Sequence, residues 1–384
     1  MEQVGGGADD PRPGQRTAPG SLVHASPPLN CTQWYKYNGT CECAKHSESF
    51  AVCTCFLLRR SPVSQAARID GGQTRQREEL PMAKQVIAVL GGTGGQGGGV
   101  VEALLGLGQF TVRVASRNPA GDAAKALARR GVEVVKADLL DAASLRLPFE
   151  GAYGAFVVTN FWDPAQMPRE TEIGAAAVKA ARSFGVKHLV WSTLPDCESL
   201  TGGRLKVVHF TGKARVDPAV EAAGFPRYTF VQAPMYFQNF LTMNTPQPLP
   251  GGGRGWAVPM DPAARVMHAG DVTEVGRAVA AAFAAGDKVP NGTYLAVCGG
   301  VYSWNDFVAT LNAQGHELQV TRVPPEAYDS FFPGARELRE MYQYYEQHTY
   351  FGPEREKRIA AARALVPGGF TGFADWAKVH MKPS

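Results

Sequence analysis

The chain has 384 residues, of which 45% are hydrophobic and 19% charged, and a net charge of +4. That is enough apolar material for one large domain or two, and too little excess charge to imply nucleic acid or an anionic membrane as a partner. No apolar run approaches the ~20 residues of a bilayer-crossing helix. The start, Met-Glu-Gln-Val-Gly-Gly-Gly-Ala-Asp-Asp, has neither the hydrophobic segment of a secretory signal nor the Arg excess of a transit peptide, so the expected compartment is the cytoplasm.

Residues 1–82 differ from the rest. Met1 to Pro28 is rich in Gly, Pro and Ser without periodicity, and Arg59 to Pro81 is a polar linker, so a disordered or loosely structured extension is expected. Cys31, Cys41, Cys43, Cys53 and Cys55 fall here. Their C-x-C spacing departs from the C-x₂₋₄-C of structural zinc, and no metal site is expected. Met82 stands just ahead of the first regular element, which leaves open an appended tail or an upstream start.

From Lys84 the chain alternates. Gln85 to Leu90 is apolar and β-branched, as a strand buried on both faces is; Gly91-Gly92-Thr93-Gly94-Gly95-Gln96-Gly97 is a tight turn; Val100 to Leu107 has helical periodicity. In the spacing Gly91-x-x-Gly94-x-x-Gly97 the first glycine allows the turn, the second lets backbone approach a pyrophosphate, and the third lets helix pack on strand. Strands are expected at Thr111 to Ser116, Glu133 to Ala137, Ala155 to Val158, His188 to Ser192 and Tyr228 to Gln232. Helices are expected at Asp122 to Arg130, briefly near Ala142 to Leu147, at Glu170 to Phe184, and at His209 to Ala223 with an interruption at Pro218. The alternation implies an α/β fold, a Rossmann-type doubly wound parallel sheet over residues 83–234.

Beyond Pro234 the rhythm loosens. Pro246 to Gly255 reads as a loop or hairpin, Asp271 caps a helix from Val272 to Ala285, and Ser303-x-x-Asp306 opens a helix running to Gln314. Further helices are expected at Pro325 to Phe331, Ala335 to Gln347 and Phe373 to Val379. Residues 235–384 are therefore expected to form a smaller, mostly helical substrate lobe completing the cleft. Tyr342, Tyr344 and Tyr345 in it offer a contact surface for a protein partner or self-association; the helical spacing of Tyr342 and Tyr345 equally suits core.

The end of the second strand selects the dinucleotide. Ala115-Ser-Arg-Asn-Pro119 carries no acid for an adenosine 2′-hydroxyl, and Arg117 offers a planar charged fork to a 2′-phosphate, so NADP(H) is the expected cofactor. Asp138 either accepts from the adenine amino group or caps the helix after it, and Thr159-Asn160-Phe161 is placed to line the nicotinamide ribose. Short-chain reductases pair a Ser with Tyr-x-x-x-Lys on one helix. Here Ser192 ends the fifth strand and the helix carries His209-Phe-Thr-Gly-Lys213, so Lys213 is kept and His replaces Tyr. Ser192, His209 and Lys213 are the catalytic candidates, His209 as a general acid or base.

Gly91 to Gly97, Arg117-Asn-Pro119, Thr159-Asn-Phe-Trp162, His209 to Lys213, Pro234-Met-Tyr-Phe-Gln-Asn239 and Phe332-Pro-Gly-Ala-Arg336 together resemble the NmrA-like family, collinearly from Lys84 to about Lys378. The likeness extends to its NADPH sensors of the HSCARG type. The resemblance implies an atypical short-chain dehydrogenase/reductase fold that binds NADP(H) and senses redox state, in the cytoplasm and also the nucleus. It implies dinucleotide contacts from Gly91, Gly92, Thr93, Gly94, Gly95, Gln96, Arg117, Thr159, Asn160, Phe161, Lys213, Tyr236, Phe237, Gln238 and Asn239. Two basic contacts of the family are Gly121 and Glu172 here, which leaves more of the phosphate preference to Arg117. The expected function is an NADP(H)-binding regulator without the catalytic Tyr. The alternatives are an NADPH-dependent reductase of small carbonyls or quinones using Lys213 or His209, and an interaction module with a vestigial site.

Overall fold

The computed structural model describes residues 83–249 and 251–383; the extension and its five cysteines lie outside the described residues. The strands are β1 (Val86–Leu90), β2 (Thr111–Ser116), β3 (Glu133–Lys136), β4 (Gly154–Val157), β5 (His188–Thr193), β6 (Arg227–Gln232), β7 (Met235–Tyr236), β8 (Gln247–Pro248), β9 (Arg254–Val258), β10 (Met267–Gly270), β11 (Thr293–Ala296), β12 (Gly300–Tyr302) and β13 (Leu318–Arg322). The longer helices are α1 (Gly95–Leu107), α2 (Asp122–Arg129), α3 (Glu170–Ser183), α4 (Val208–Ala214), α5 (Asp217–Ala222), α6 (Val275–Ala285), α7 (Trp304–Ala313), α8 (Ala335–His348), α9 (Arg355–Leu365) and α10 (Phe373–His380).

Seven strands form one sheet in the order β11-β6-β5-β4-β1-β2-β3, with every neighbouring pair parallel. The chain order reverses between β1 and β4, and such a switch point opens a crevice at the carboxyl ends of the strands. β4 and β5 are buried at every residue, which explains their continuous apolar character. One face packs Val89, Val100, Leu104, Val279 and Phe283, and the other packs Leu90, Ala177, Leu189, Trp191 and Phe230. Helices α1 and α6 cross with backbones almost touching: a Cβ on Gly99 would fall 2.2 Å from the carbonyl oxygen of Thr273, and one on Gly276 would fall 2.0 Å from that of Gly99.

Several expectations change. The seventh strand, β11, had no strong sequence signal, because Thr293-Tyr-Leu-Ala296 is short and follows a Pro-Asn-Gly turn. Residues 209–223 form two helices, α4 and α5, with Pro218 in the first turn of the second, where its missing N–H costs nothing. Helix α9 was not expected; its charged exposed residues hide the face that packs on β11 and α6. The chain after β6 does not form a lobe throughout: β11, α6 and α9 return to the seven-stranded sheet, and the rest is helical in the main with two three-stranded sheets, β12-β10-β7 and β13-β9-β8. The hairpin expected at Pro246 to Gly255 is the antiparallel β8–β9 pair. The capping box is present in full: Ser303 Oγ accepts from Asp306 N and Asp306 Oδ2 accepts from Ser303 N. Tyr342, Tyr344 and Tyr345 are core, at 5%, 0% and 2% exposure, so the surface proposed for them does not exist. Among the described residues no helix is long and apolar enough to cross a membrane.

Candidate functional site

The glycine turn sits at the switch point. Gly91 has φ +72°, and a Cβ on Gly97 would lie 2.2 Å from Gly91 O, so the first turn of α1 is packed directly on the turn before it. The amides of Gly95, Gln96 and Gly97 donate to no acceptor among the described residues. No side chain caps α1 and no acid stands in its first turn. Free amides at the positive end of a helix dipole make an anion cradle. Thr93, Gly94 and Gly95 are exposed, Gly92 is buried, and the residues present fit a pyrophosphate.

Arg117 stands one residue past β2 with its side chain 60% exposed, and its Nη1 donates to Asp163 Oδ2 at 2.8 Å. Asp163 is 7% exposed and belongs to the segment after β4. Asn160 is exposed at the start of that segment, and its amide donates to Gln166 Oε1. Asp138 turns back on its own chain: its Oδ1 accepts from Leu140 N, while Asp141 caps the short helix that follows.

Each of the reductase-like positions, Ser192, Lys213 and His209, has its own protein partner. Ser192 Oγ donates to Gln96 Oε1 at 2.7 Å, and Gln96 Nε2 donates to the Tyr236 hydroxyl at 2.8 Å. The first turn of α1, the end of β5 and the strand β7 are thereby tied by one carboxamide. Burial raises the Tyr236 phenol above its ordinary value, and the bond from Gln96 offsets part of that. Lys213 is buried, and Nζ donates to Thr159 O at 2.9 Å, Thr159 Oγ1 at 3.0 Å and Glu170 Oε1 at 2.5 Å. Those three bonds match the three protons of an ammonium. The second oxygen of Glu170 has no partner among the described residues.

His209 lies four residues before Lys213 on α4 and packs near Phe161 and Trp162, with ring centroids 5.7 and 5.2 Å away. Its Nδ1 and its backbone N both contact Glu337 Oε1, at 2.7 and 3.0 Å, and Glu337 comes from α8 of the lobe. Burial acts to raise the Glu337 carboxyl; the His209 ring and the backbone amides of His209 and Val208 outweigh it and hold the group below its usual range.

Of the segment expected to close over the dinucleotide, Asn239 is half-buried and Gln238 is committed at both ends of its amide, donating to Asp271 Oδ1 at 2.7 Å and accepting from Val272 N at 3.1 Å. Phe237 is fully buried against Phe373 and Trp376, so its ring presents no surface to the groove. Three residues of the site were not singled out from the sequence: Asp163, Glu170 and Glu337. Asp163 directly follows the Thr159-Asn-Phe-Trp162 motif, which is the one signal that pointed near it.

The NmrA-like family model matches residues 83–377. The chain belongs to the NmrA-like family. Among related proteins, the NmrA-like family domain-containing oxidoreductase FrzB of Cladobotryum sp is 38% identical over 161 residues, covering 41% of this chain and 48% of that protein. The chain spans about half the length of the curated relatives it matches first. The crystal structure of NmrA, a negative transcriptional regulator in complex with NADP, superposes with TM-score 0.65 at 25% identity, covering 77% of this chain and 94% of that one. The NADPH-dependent quinone oxidoreductase QOR2 of Escherichia coli, complexed with NADPH, shares the fold with TM-score 0.61 at 19% identity, covering 76% and 99%.

Proposed function

We propose that this NmrA-like protein binds NADP(H) along the carboxyl edge of its sheet and acts as a cytoplasmic redox-responsive regulator rather than as an efficient reductase. Residues 83–234 hold the dinucleotide and residues 235–384 complete the cleft. The observation that carries the binding is the uncapped first turn of α1, with Arg117 at the carboxyl end of β2, the neighbour of the strand that leads into that turn. The amides take a pyrophosphate and the guanidinium takes the 2′-phosphate. NmrA has been solved both with NADP and with NAD, which supports a dinucleotide in this site; the preference for the phosphorylated form rests on Arg117.

The regulatory part rests on how the reductase positions are used. The Ser192 hydroxyl is given to Gln96, all three Lys213 donors are engaged, and His209 stands where short-chain reductases have a tyrosine. A regulator needs only a partner with different affinities for the bound and free forms. The second reading, an NADPH-dependent reductase of small carbonyls or quinones, is favoured by the His209–Glu337 contact, which orients an imidazole as a proton carrier needs. The oxidoreductase names of the fungal relatives point the same way. Steady-state NADPH consumption with a panel of quinones and carbonyls separates the two. The regulator reading expects tight binding without turnover, and turnover abolished by His209→Ala with binding retained would replace it with the reductase.

A further inference from the structure

Arg117 and Asp163 approach each other from opposite sides of β1. Arg117 follows β2, Asp163 lies on the segment after β4, and β1 runs between those strands. Their ion pair, 2.8 Å from Nη1 to Oδ2, therefore links the two flanks of the strand that leads into the glycine turn. The partners are unequal. Asp163 is 7% exposed and fixed: its Oδ1 accepts from Ala165 N at 3.0 Å, and its carbonyl accepts from the amides of Gln166 and Met167 at 2.8 Å each. Arg117 is 60% exposed, and Asp163 is its one ion-pair partner among the described residues. A fixed carboxylate thus holds a movable guanidinium.

We propose that Asp163 is an internal stand-in for the 2′-phosphate and sets how strongly the site prefers phosphorylated dinucleotides. This rests on the NADP(H) reading above. A guanidinium fork pairs with a carboxylate or a phosphate through the same geometry, and the phosphate brings more charge and a third acceptor oxygen. The 2′-phosphate of NADPH competes with Asp163 for the Arg117 guanidinium, whose Nη1 the carboxylate holds. NADH, with a bare 2′-hydroxyl, leaves the pair intact. Asp163 accordingly weakens the binding of NADPH and is neutral towards NADH. The exchange also unties β2 from the segment that carries Phe161 and Trp162 against His209, so phosphate occupancy is passed to that segment.

The test is calorimetric titration of the full chain with NADPH and with NADH, in wild type, Asp163→Asn, Arg117→Ala and the double variant. Asparagine keeps an oxygen for Ala165 N and removes the charge; Asp163→Ser, which also caps a turn, is the second variant should asparagine fold poorly. The expected result is NADPH binding tightened roughly 3- to 10-fold by Asp163→Asn, with NADH changed less than about twofold and no effect of Asp163→Asn once Arg117 is alanine. Unchanged or weaker NADPH binding, or an equal gain for NADH, overturns the proposal. If wild type prefers NADPH through Arg117 while Asp163→Asn changes nothing, only the stand-in fails; if wild type binds no dinucleotide, both readings fail together.

Discussion

One carboxylate oxygen of Glu337, on helix α8 of the lobe, accepts from both the backbone N and the ring Nδ1 of His209, on helix α4 of the sheet domain. Glu340, one turn later, accepts from Lys206 N. Helix α8 therefore supplies the acceptors that the approach and first turn of α4 lack, since no residue of its own caps that helix. Because the Glu337 carboxyl is held below its usual range, its contribution is present above the unfolded-state value and is lost as pH falls through the folded value. We predict that Glu337→Gln lowers unfolding stability at neutral pH by about 1–2 kcal/mol. Urea denaturation should show this deficit shrinking as pH falls below the ordinary glutamate value of about 4.3 and gone once the folded carboxyl is itself protonated.

Asp217 gives the opposite sign. Burial pushes its carboxyl up to about 7, against a hydrogen bond from the Tyr294 hydroxyl at 2.9 Å that lowers it, and its other oxygen has no partner among the described residues. A raised carboxyl favours the folded state most below the unfolded value and loses that advantage as pH rises through the folded one. Wild-type stability should therefore decline between about pH 4 and pH 7 from this group. Asp217→Asn should flatten the decline and be more stable than wild type at pH 8 by roughly 1–3 kcal/mol. Denaturation at pH 5 and pH 8 checks it; a variant less stable than wild type at pH 8 contradicts it.

The Lys213–Glu170 pair makes the obvious activity test ambiguous. Lys213→Ala leaves a carboxylate that is 3% exposed without its cation. Removing one partner of such a pair costs about 3–5 kcal/mol, whereas replacing both by uncharged groups costs less. We predict that Lys213→Met with Glu170→Gln melts above Lys213→Ala. Scanning calorimetry of the three proteins decides this, and a lower midpoint for the double variant would show the pair is not stabilised by charge.

Gly97 tests the turn itself. Alanine there puts Cβ 2.2 Å from Gly91 O, 2.5 Å from Gly91 C and 2.8 Å from Gly92 N, all backbone atoms that cannot give way cheaply. Gly97→Ala should lose roughly 2–4 kcal/mol of stability and the dinucleotide site with it. Gly106, whose Cβ would meet nothing within 4 Å, is the control, and Gly106→Ala should bind as wild type does.

The sheet was legible because its signals are local. β2 matches its expected span, β1 and β4–β6 match to within a residue, and the glycines, the Pro218 break and the Ser303 capping box each act over a few positions. β11 was not, since four residues beside a turn carry no alternation and become a strand only by pairing with β6. The same limit applies to the site. Arg117, Lys213 and His209 were found by their place in motifs, but their partners Asp163, Glu170 and Glu337 are 46, 43 and 128 residues away. No periodicity links such positions; only the fold does. Phe237 stands inside the Pro234 to Asn239 motif, yet its ring packs in the core against Phe373 and Trp376, which the motif alone does not reveal.

The most direct measurement is the affinity of the full chain for NADPH, NADP+, NADH and NAD+, repeated for Arg117→Ala. A strong preference for the two phosphorylated forms is expected, most of it removed by Arg117→Ala without loss of the unphosphorylated forms. Equal binding of NADH and NADPH by the wild-type protein, or a preference that survives Arg117→Ala, would contradict it.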